Sequence, residues 1–428
     1  ILDDLIRKLW GFFLSFQICY NFPMKNLAII KKFVNNEEII EALRLLGSDT
    51  HGIKIMAPKF RHHVIKITNI STTAALIIKQ EMLSKGGEVA TPRNMITHTI
   101  NEGDIMIAGT SNQYKELIRK LRAQPFGLKN IAEELESLTG EDRLHPIVIG
   151  KKTFDFNVQS YLMGILNVTP DSFSDGGQYY SAEDALRKAK QLINEEADII
   201  DIGGQSTRPG AESIQIEEEI KRVLPVIKAI RTISTIPISI DTFHSRVAHT
   251  ALQEGADMVN DISGLRFDPE MAAVVKKHNC PVALMHTQGM PLTMQKNPTY
   301  SNIIQEIIEY LEDSIKLAIE TGIDKSKIII DPGIGFGKNI NHNLSILHNL
   351  GELKTLKCPI LVGTSRKSFI GKILGDPVDE RILGTAVTNV IALNNGANII
   401  RVHDVKEMKK VITMSESIKY YKGGSYCD

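Results

Sequence analysis

The sequence predicts an α/β protein: a (β/α)8 TIM barrel preceded by a smaller α/β domain. The first observation is a set of short apolar runs that recur from about residue 157. They are SYLMGILN (160–167), ADIIDIGG (197–204), IPISIDT (236–242), ADMVNDIS (256–263), PVALMHT (281–287), KIIIDPG (327–333), CPILVGTS (358–365) and NIIRVHD (398–404). The second is that each run ends in polar residues and gives way to a segment of helical period. Strands that are almost continuously apolar, alternating with helices, make a parallel sheet covered on its faces. The third is the total: eight such units in roughly 250 residues match a closed barrel in number and length. An open doubly wound sheet would seldom need eight strands, and it usually carries a Gly-rich phosphate turn after its first strand. No such turn follows SYLMGILN.

In chain order, residues 1–23 come first. Ile1 is not an initiator methionine, and LWGFFLSFQICYNF (9–22) is apolar and aromatic behind Arg7 and Lys8. No small-x-small cleavage site follows, Asp3 and Asp4 are acidic, and the run is short for a membrane span. The segment is read as upstream translated sequence, with the natural start at Met24.

Residues 24–156 lack the barrel's beat and are expected to form a separate α/β domain of unknown role. IKIMAPKFRHHVIKITNI (53–70) reads as strand-rich, AALIIKQEMLSKGG as helix, GDIMIAGT as strand and QYKELIRKLRAQPFGLKNIAEELESL as helix. The basic run 115–122 is read as a solvated helix face.

The barrel is assigned residues 157–428. Its first helix, SAEDALRKAKQLINEEA, has Ser181 as candidate N-cap with Asp184 three residues on, and its apolar residues recur at helical spacing. TYSNIIQEIIEYLEDSIKLAIETG is a helix of several turns. The helix after strand seven's loops ends near Asn394–Asn395–Gly396, a C-cap signal.

Composition excludes several function classes. The chain has 428 residues, 43% hydrophobic and 23% charged, an ordinary globular balance. Fifty basic residues against fifty acidic ones give no net charge, so nothing global favours nucleic acid or an anionic membrane. An anionic substrate would need a local site. Cys19, Cys280, Cys358 and Cys427 show no CxxC spacing, so a disulfide framework or zinc site is not expected and a reducing cytoplasm is.

A barrel of this kind places its active site at the C-terminal ends of its strands. Strand one delivers Asn167 there, strand two Gln205 and the loop STRPG, strand three Asp241, and strand four Asn260 and Asp261. Strand five delivers His286, strand six Asp331, strand seven Ser365, Arg366 and Lys367, and strand eight Arg401 and His403. A single polar strand end is usually a turn former; polar ends on all eight strands point to a site. There is no GxSxG, no HExxH, and no Ser or Cys with a His–Asp partner. DPGIGFGK (331–338) has the wrong glycine spacing for a phosphate loop, and Asn339 follows Lys338. Asp241, Asn260 and Asp331 instead suit the planar N–H edge of a heterocycle, which a carboxylate can bind bidentately. Lys367, Arg401 and His403 lie in the quarter of the fold that commonly binds phosphate.

MGILNVTPDSFSDGG, GGQSTRPGA, ISIDT, VNDISG, DPGIGFGK, GTSRKSFIG and RVHDV together resemble the dihydropteroate synthase family, in order, from residue 160 to about 415. The resemblance implies condensation of 6-hydroxymethyl-7,8-dihydropterin diphosphate with 4-aminobenzoate, by an SN1-like displacement, in folate biosynthesis. Asp241, Asn260 and Asp331 would hold the pterin, with Lys367 at the opposite rim. Arg401 and His403 would bind the diphosphate, and Asn167 would ligate a shared Mg2+. Thr207, Arg208 and Pro209 would form the loop over the aminobenzoate, with Thr207 also near the pterin diphosphate. Phe336 would be its aromatic neighbour, and Ser368 would bind its carboxylate. TPDSFSDGG would be a lid, freed by Gly176 and Gly177, carrying Phe173 and Asp175 to the reacting centre. The catalytic set is then Asp331, Lys367, Arg401, His403 and Asp175. Gln205 stands where the family often has Glu, and Ile334 where an aromatic is common.

Two other readings compete. A pterin-dependent methyltransferase would have no use for STRPG, SRKS or the Arg401/His403 pair. A non-catalytic pterin-binding paralogue would be expected to lose Asn167, Lys367 or Arg208, and all three are present. The family commonly forms homodimers and is the target of sulfonamides, so both properties are implied here.

Overall fold

The computed structural model describes residues 28–33, 35–140, 143–168, 182–206, 214–419 and 421. The chain divides into two compact units, Ile1–Glu141 and Asp142–Asp428.

In the first unit, helices Asn36–Leu45 and Thr50–Phe60 are capped by the side chains of Asn35 and Asp49. The expected strand over 53–70 is therefore half helix. Ile53 and Ala57, one turn apart, are buried in a cluster with Ile39 and Leu43, and that packing overrides the β-branched run. Strand begins only at β1 (His62–Ser71), which pairs antiparallel with β3 (Glu102–Thr110). The short β2 (Glu88–Ala90) lies on the other side of β3, giving the order β1-β3-β2. Helix Thr72–Leu83 falls where expected. The long helical pattern over 113–138 is split into Ser111–Leu121 and Leu128–Thr139, with Gly127 left-handed at φ +76° between them. Ile78, Met82, Ile107, Tyr114 and Leu117 form this unit's core.

The second unit opens with a hairpin of β4 (Ile147–Ile149) and β5 (Lys152–Phe154). All eight expected strands follow: β6 (Tyr161–Asn167), β7 (Ile199–Gly203), β8 (Ile238–Asp241), β9 (Met258–Asp261), β10 (Val282–Met285), β11 (Ile328–Asp331), β12 (Leu361–Val362) and β13 (Ile399–Val402). They pair in parallel in the order β11-β10-β9-β8-β7-β6-β13-β12, and a bridge between Ile330 and Ile360 closes the barrel.

Side chains alternate between the two faces of each strand. Leu162, Ile200, Ile238, Val259, Val282, Ile328, Val362 and Ile400 share one large cluster with helix residues such as Leu192, Val226 and Leu311. Their neighbours Tyr161, Met163, Ile199, Met258, Ala283, Ile329, Leu361 and Ile399 form a second cluster, the barrel's interior floor.

The β4–β5 hairpin contributes Ile147, Ile149 and Phe154 to that floor, joined by Phe156. Phe154 lies 4.6 Å from the Tyr161 ring, centroid to centroid. Residues 142–156, expected with the N-terminal domain, thus belong to the barrel unit. The first unit's boundary falls at 141 because this hairpin buries its apolar face against strand residues. Ser181, the candidate N-cap, lies outside the described residues; the helix after β6 is Ala182–Asn194.

Candidate active site at the carboxyl ends of the strands

The same alternation that builds the floor builds the site one step higher. Two residues beyond Ile199, Met258, Ile329 and Ile399 come Asp201, Asn260, Asp331 and Arg401, and Asp241 is in register with Asn260. An apolar floor thus gives way within one strand repeat to a polar layer.

Arg401 organises this layer. Its Nε donates to Asp201 Oδ2 and its Nη2 to Asp241 Oδ2, both at 2.6 Å. Asn260 Nδ2 donates to Asp201 Oδ2 at 3.2 Å. Burial pushes the Asp241 carboxyl up to about 7; Arg401 pulls against it, while Asp201, Glu219 and Asp261 add to the rise. Asp331 is likewise raised by burial, although Gly333 N donates to its Oδ1 at 2.7 Å.

Among the described residues three buried oxygens here have no partner: Asp201 Oδ1, Asp241 Oδ1 and Ser239 Oγ. Buried acceptors are normally satisfied, so these oxygens are open to donors from water or a ligand.

The opposite rim carries Lys367. It donates to Ile334 O, and its Nζ lies 4.5 Å from the Phe336 ring centroid. Burial lowers its ammonium to about 8, opposed mainly by Asp331. His403 Nδ1 lies 3.0 Å from Ser365 Oγ, which also accepts from His403 N at 3.2 Å. Ser368 is exposed at the start of the short helix Ser368–Leu374.

Asn167 ends β6 beside Gly203. A Cβ on Gly203 would stand 3.7 Å from Asn167 Oδ1 and 3.6 Å from Asp241 Oδ2. Asn167 Oδ1 is a hard neutral donor of the kind Mg2+ takes, whereas Asp241 Oδ2 is held by Arg401 Nη2.

Among the expected residues, Asp241, Asn260 and Arg401 are joined through Asp201, and Phe336 and Lys367 face each other. Asp175, Thr207, Arg208, Pro209 and the lid with Phe173 lie outside the described residues. Arg366 and Asp261 turn to local work. Arg366 pairs with Asp404 through Nε at 3.0 Å, and Asp261 accepts from Ser263 N and Leu265 N at 2.8 Å. Gln205 is buried, and among the described residues its Oε1 has no partner.

Sequence reasoning missed Asp201 and Lys338. The signal for Asp201 was a carboxylate inside the apolar run ADIIDIGG, two residues before its polar end. Lys338 is almost fully buried against His286.

The sequence pattern of the pterin binding enzyme family matches residues 163–403. The dihydropteroate synthase of a Synechocystis species is 49% identical over 274 residues, which cover 64% of this chain and 95% of that protein. The Yersinia pestis dihydropteroate synthase, solved as a sulfonamide drug complex, superposes with a TM-score of 0.61 at 40% identity, covering 64% of this chain and 99% of that one. The Xanthomonas albilineans dihydropteroate synthase with 4-aminobenzoic acid gives 0.61 at 37% identity, covering 65% and 99%. With motifs, barrel and polar layer in agreement, the chain belongs to the pterin binding enzyme family.

Proposed function

We infer that the chain catalyses dihydropteroate synthesis in folate formation, a transferase reaction. 6-Hydroxymethyl-7,8-dihydropterin diphosphate loses diphosphate, and 4-aminobenzoate takes its place to give 7,8-dihydropteroate. The observation that carries this reading is the Arg401–Asp201–Asp241 cluster with its unpartnered acceptors, set in a barrel that spans nearly the whole length of dihydropteroate synthases.

The chemistry proposed for the site follows from its charges. The bond between the pterin methylene and the diphosphate oxygen breaks with its electrons leaving on diphosphate. The amine nitrogen of 4-aminobenzoate then attacks the methylene and sheds a proton. Asp331, Asp241 and Asn260 supply acceptors and an amide for the pterin edge. Lys367 and Phe336 close the opposite side, and Arg401 and His403 meet the departing negative charge. Mg2+, when bound, would neutralise charge on the diphosphate; Asn167 would hold it at the end of β6. The aminobenzoate would lie against Thr207, Arg208, Pro209, Phe336 and Ser368, and a sulfonamide would compete for the same place.

Among the described residues no helix is long and apolar enough to cross a membrane. Cys280 and Cys358 are free and buried, which suits the proposed cytoplasmic setting. A homodimer is proposed through helix Ile382–Asn394, where Leu383, Val387 and Ile391 lie exposed on one face, next to exposed Ile373 and Leu374.

Diphosphate release from dihydropterin diphosphate with Mg2+, measured with and without 4-aminobenzoate, tests the activity. Aminobenzoate-dependent release with dihydropteroate formed, and its loss in Asp331→Ala, is the expected result. Pterin binding without product would overturn the reading.

A further inference from the structure

Lys338 is the last residue of DPGIGFGK, a stretch that resembles a phosphate loop without being one. The proposed chemistry gives it no task. It is nevertheless buried, and burying a lysine costs several kcal/mol unless its head is fully satisfied. Three acceptors surround its Nζ: His286 Nδ1 at 2.8 Å, Phe336 O at 2.9 Å and His286 O at 3.5 Å. An ammonium has three donors to match them. Burial holds its pKa well below the ordinary range, and Asp331 is the carboxylate that opposes the shift.

Those contacts lead back to Asp331 by a short chain. Lys338 holds Phe336 O, Phe336 N donates to Gly333 O at 3.1 Å, and Gly333 N donates to Asp331 Oδ1 at 2.7 Å. The loop is pressed onto the end of β10. Gly333 is left-handed at φ +69°, and a Cβ there would collide with His286 O. The His286 ring in turn packs 4.8 Å from Tyr310, and Tyr300 OH donates to Gly337 O at 2.8 Å.

We infer that Lys338, locked onto His286, is a positioning residue for pterin recognition. It holds residues 333–338 so that Asp331 has Oδ1 occupied and Oδ2 left for the heterocycle, and so that Phe336 keeps its ring against Lys367. The inference rests on the pterin site described above and does not require the synthase reaction to occur.

The test is a double-mutant cycle read by direct binding of the pterin substrate, with Lys338→Met, Asp331→Asn and the pair. Asp331→Asn alone should weaken pterin binding by roughly tenfold or more, and in the Lys338→Met background by less than about threefold, because the carboxylate is already misplaced. Fully additive losses, or Lys338→Met binding pterin like the wild type, would overturn it. Tyr300→Phe loosens the same loop from the surface side. It should weaken pterin binding in the wild-type background and by less than about threefold in the Asp331→Asn background; an equal loss in both backgrounds would overturn the proposal. Failure of the wild type to form dihydropteroate would remove the synthase reading alone, because pterin binding still reads the cycle.

Discussion

Arg401 and Asp201 face each other across the barrel mouth, from β13 and β7, with Nε and Oδ2 2.6 Å apart. They come from strands that are not neighbours in the order of closure, since β6 lies between them. Asp201 is fully buried and its charge depends on Arg401, which is partly exposed and also pairs with Asp241. Removing one partner of a buried pair costs about 3–5 kcal/mol. Asp201→Leu should lower stability on that scale, seen as a reduced urea midpoint, and should abolish pterin binding.

Glu219 gives a pH prediction of definite sign. Burial raises this carboxyl from 4.5 to about 7, against the pull of Thr242 and Arg222. A raised carboxyl favours the folded state when protonated. Its contribution is complete below pH 4.5 and is lost as pH rises through about 7. Each tenfold difference in proton affinity between folded and unfolded chain is worth about 1.4 kcal/mol, so the loss by pH 8 is on the order of 3 kcal/mol. Urea unfolding at pH 5 and pH 8 should show that slope in the wild type and a flatter one in Glu219→Gln.

Lys367 gives a prediction for the alkaline side of the activity profile. Its ammonium, lowered to about 8 by burial, is the charged form that would meet diphosphate. The kcat/KM profile, which reports the free enzyme, should fall above pH 8. Lys367→Met should be slow at every pH and should lack that limb.

The hairpin at the barrel floor makes the unit boundary testable. Phe154 is fully buried beside Tyr161, and Phe→Ala in a core costs about 3–5 kcal/mol. Phe154→Ala should lower the thermal midpoint, and a chain starting at residue 157 should be less stable than one starting at 142.

Chelation tests the proposed Mg2+ apart from pterin recognition. EDTA should stop diphosphate release while leaving pterin binding, and Asn167→Ala should raise the Mg2+ needed for half-maximal rate.

Much of this was legible because a strand's code is short. The eight apolar runs with polar ends located β6–β13, and the last inward residue of each run supplied Asp241, Asp331 and Asn167. Helix Thr50–Phe60 differs from the expected strand because Ile53 and Ile55 alternate as in a strand, while the buried stripe is Ile53 and Ala57, one helical turn apart. Only the packing of Ile53 on Ile39 distinguishes the two.

The sequence by itself determined the barrel, its polar rim and the family, since alternation along a strand and ordered motifs are local properties. The tertiary structure alone decided that Arg401 lies between Asp201 and Asp241, that Lys338 is buried on His286, and that residues 142–156 close the floor. The first two join residues from 52 to 200 positions apart, and the third depends on burial. A charge's partner, and whether it is shielded from water, is fixed only when the barrel closes.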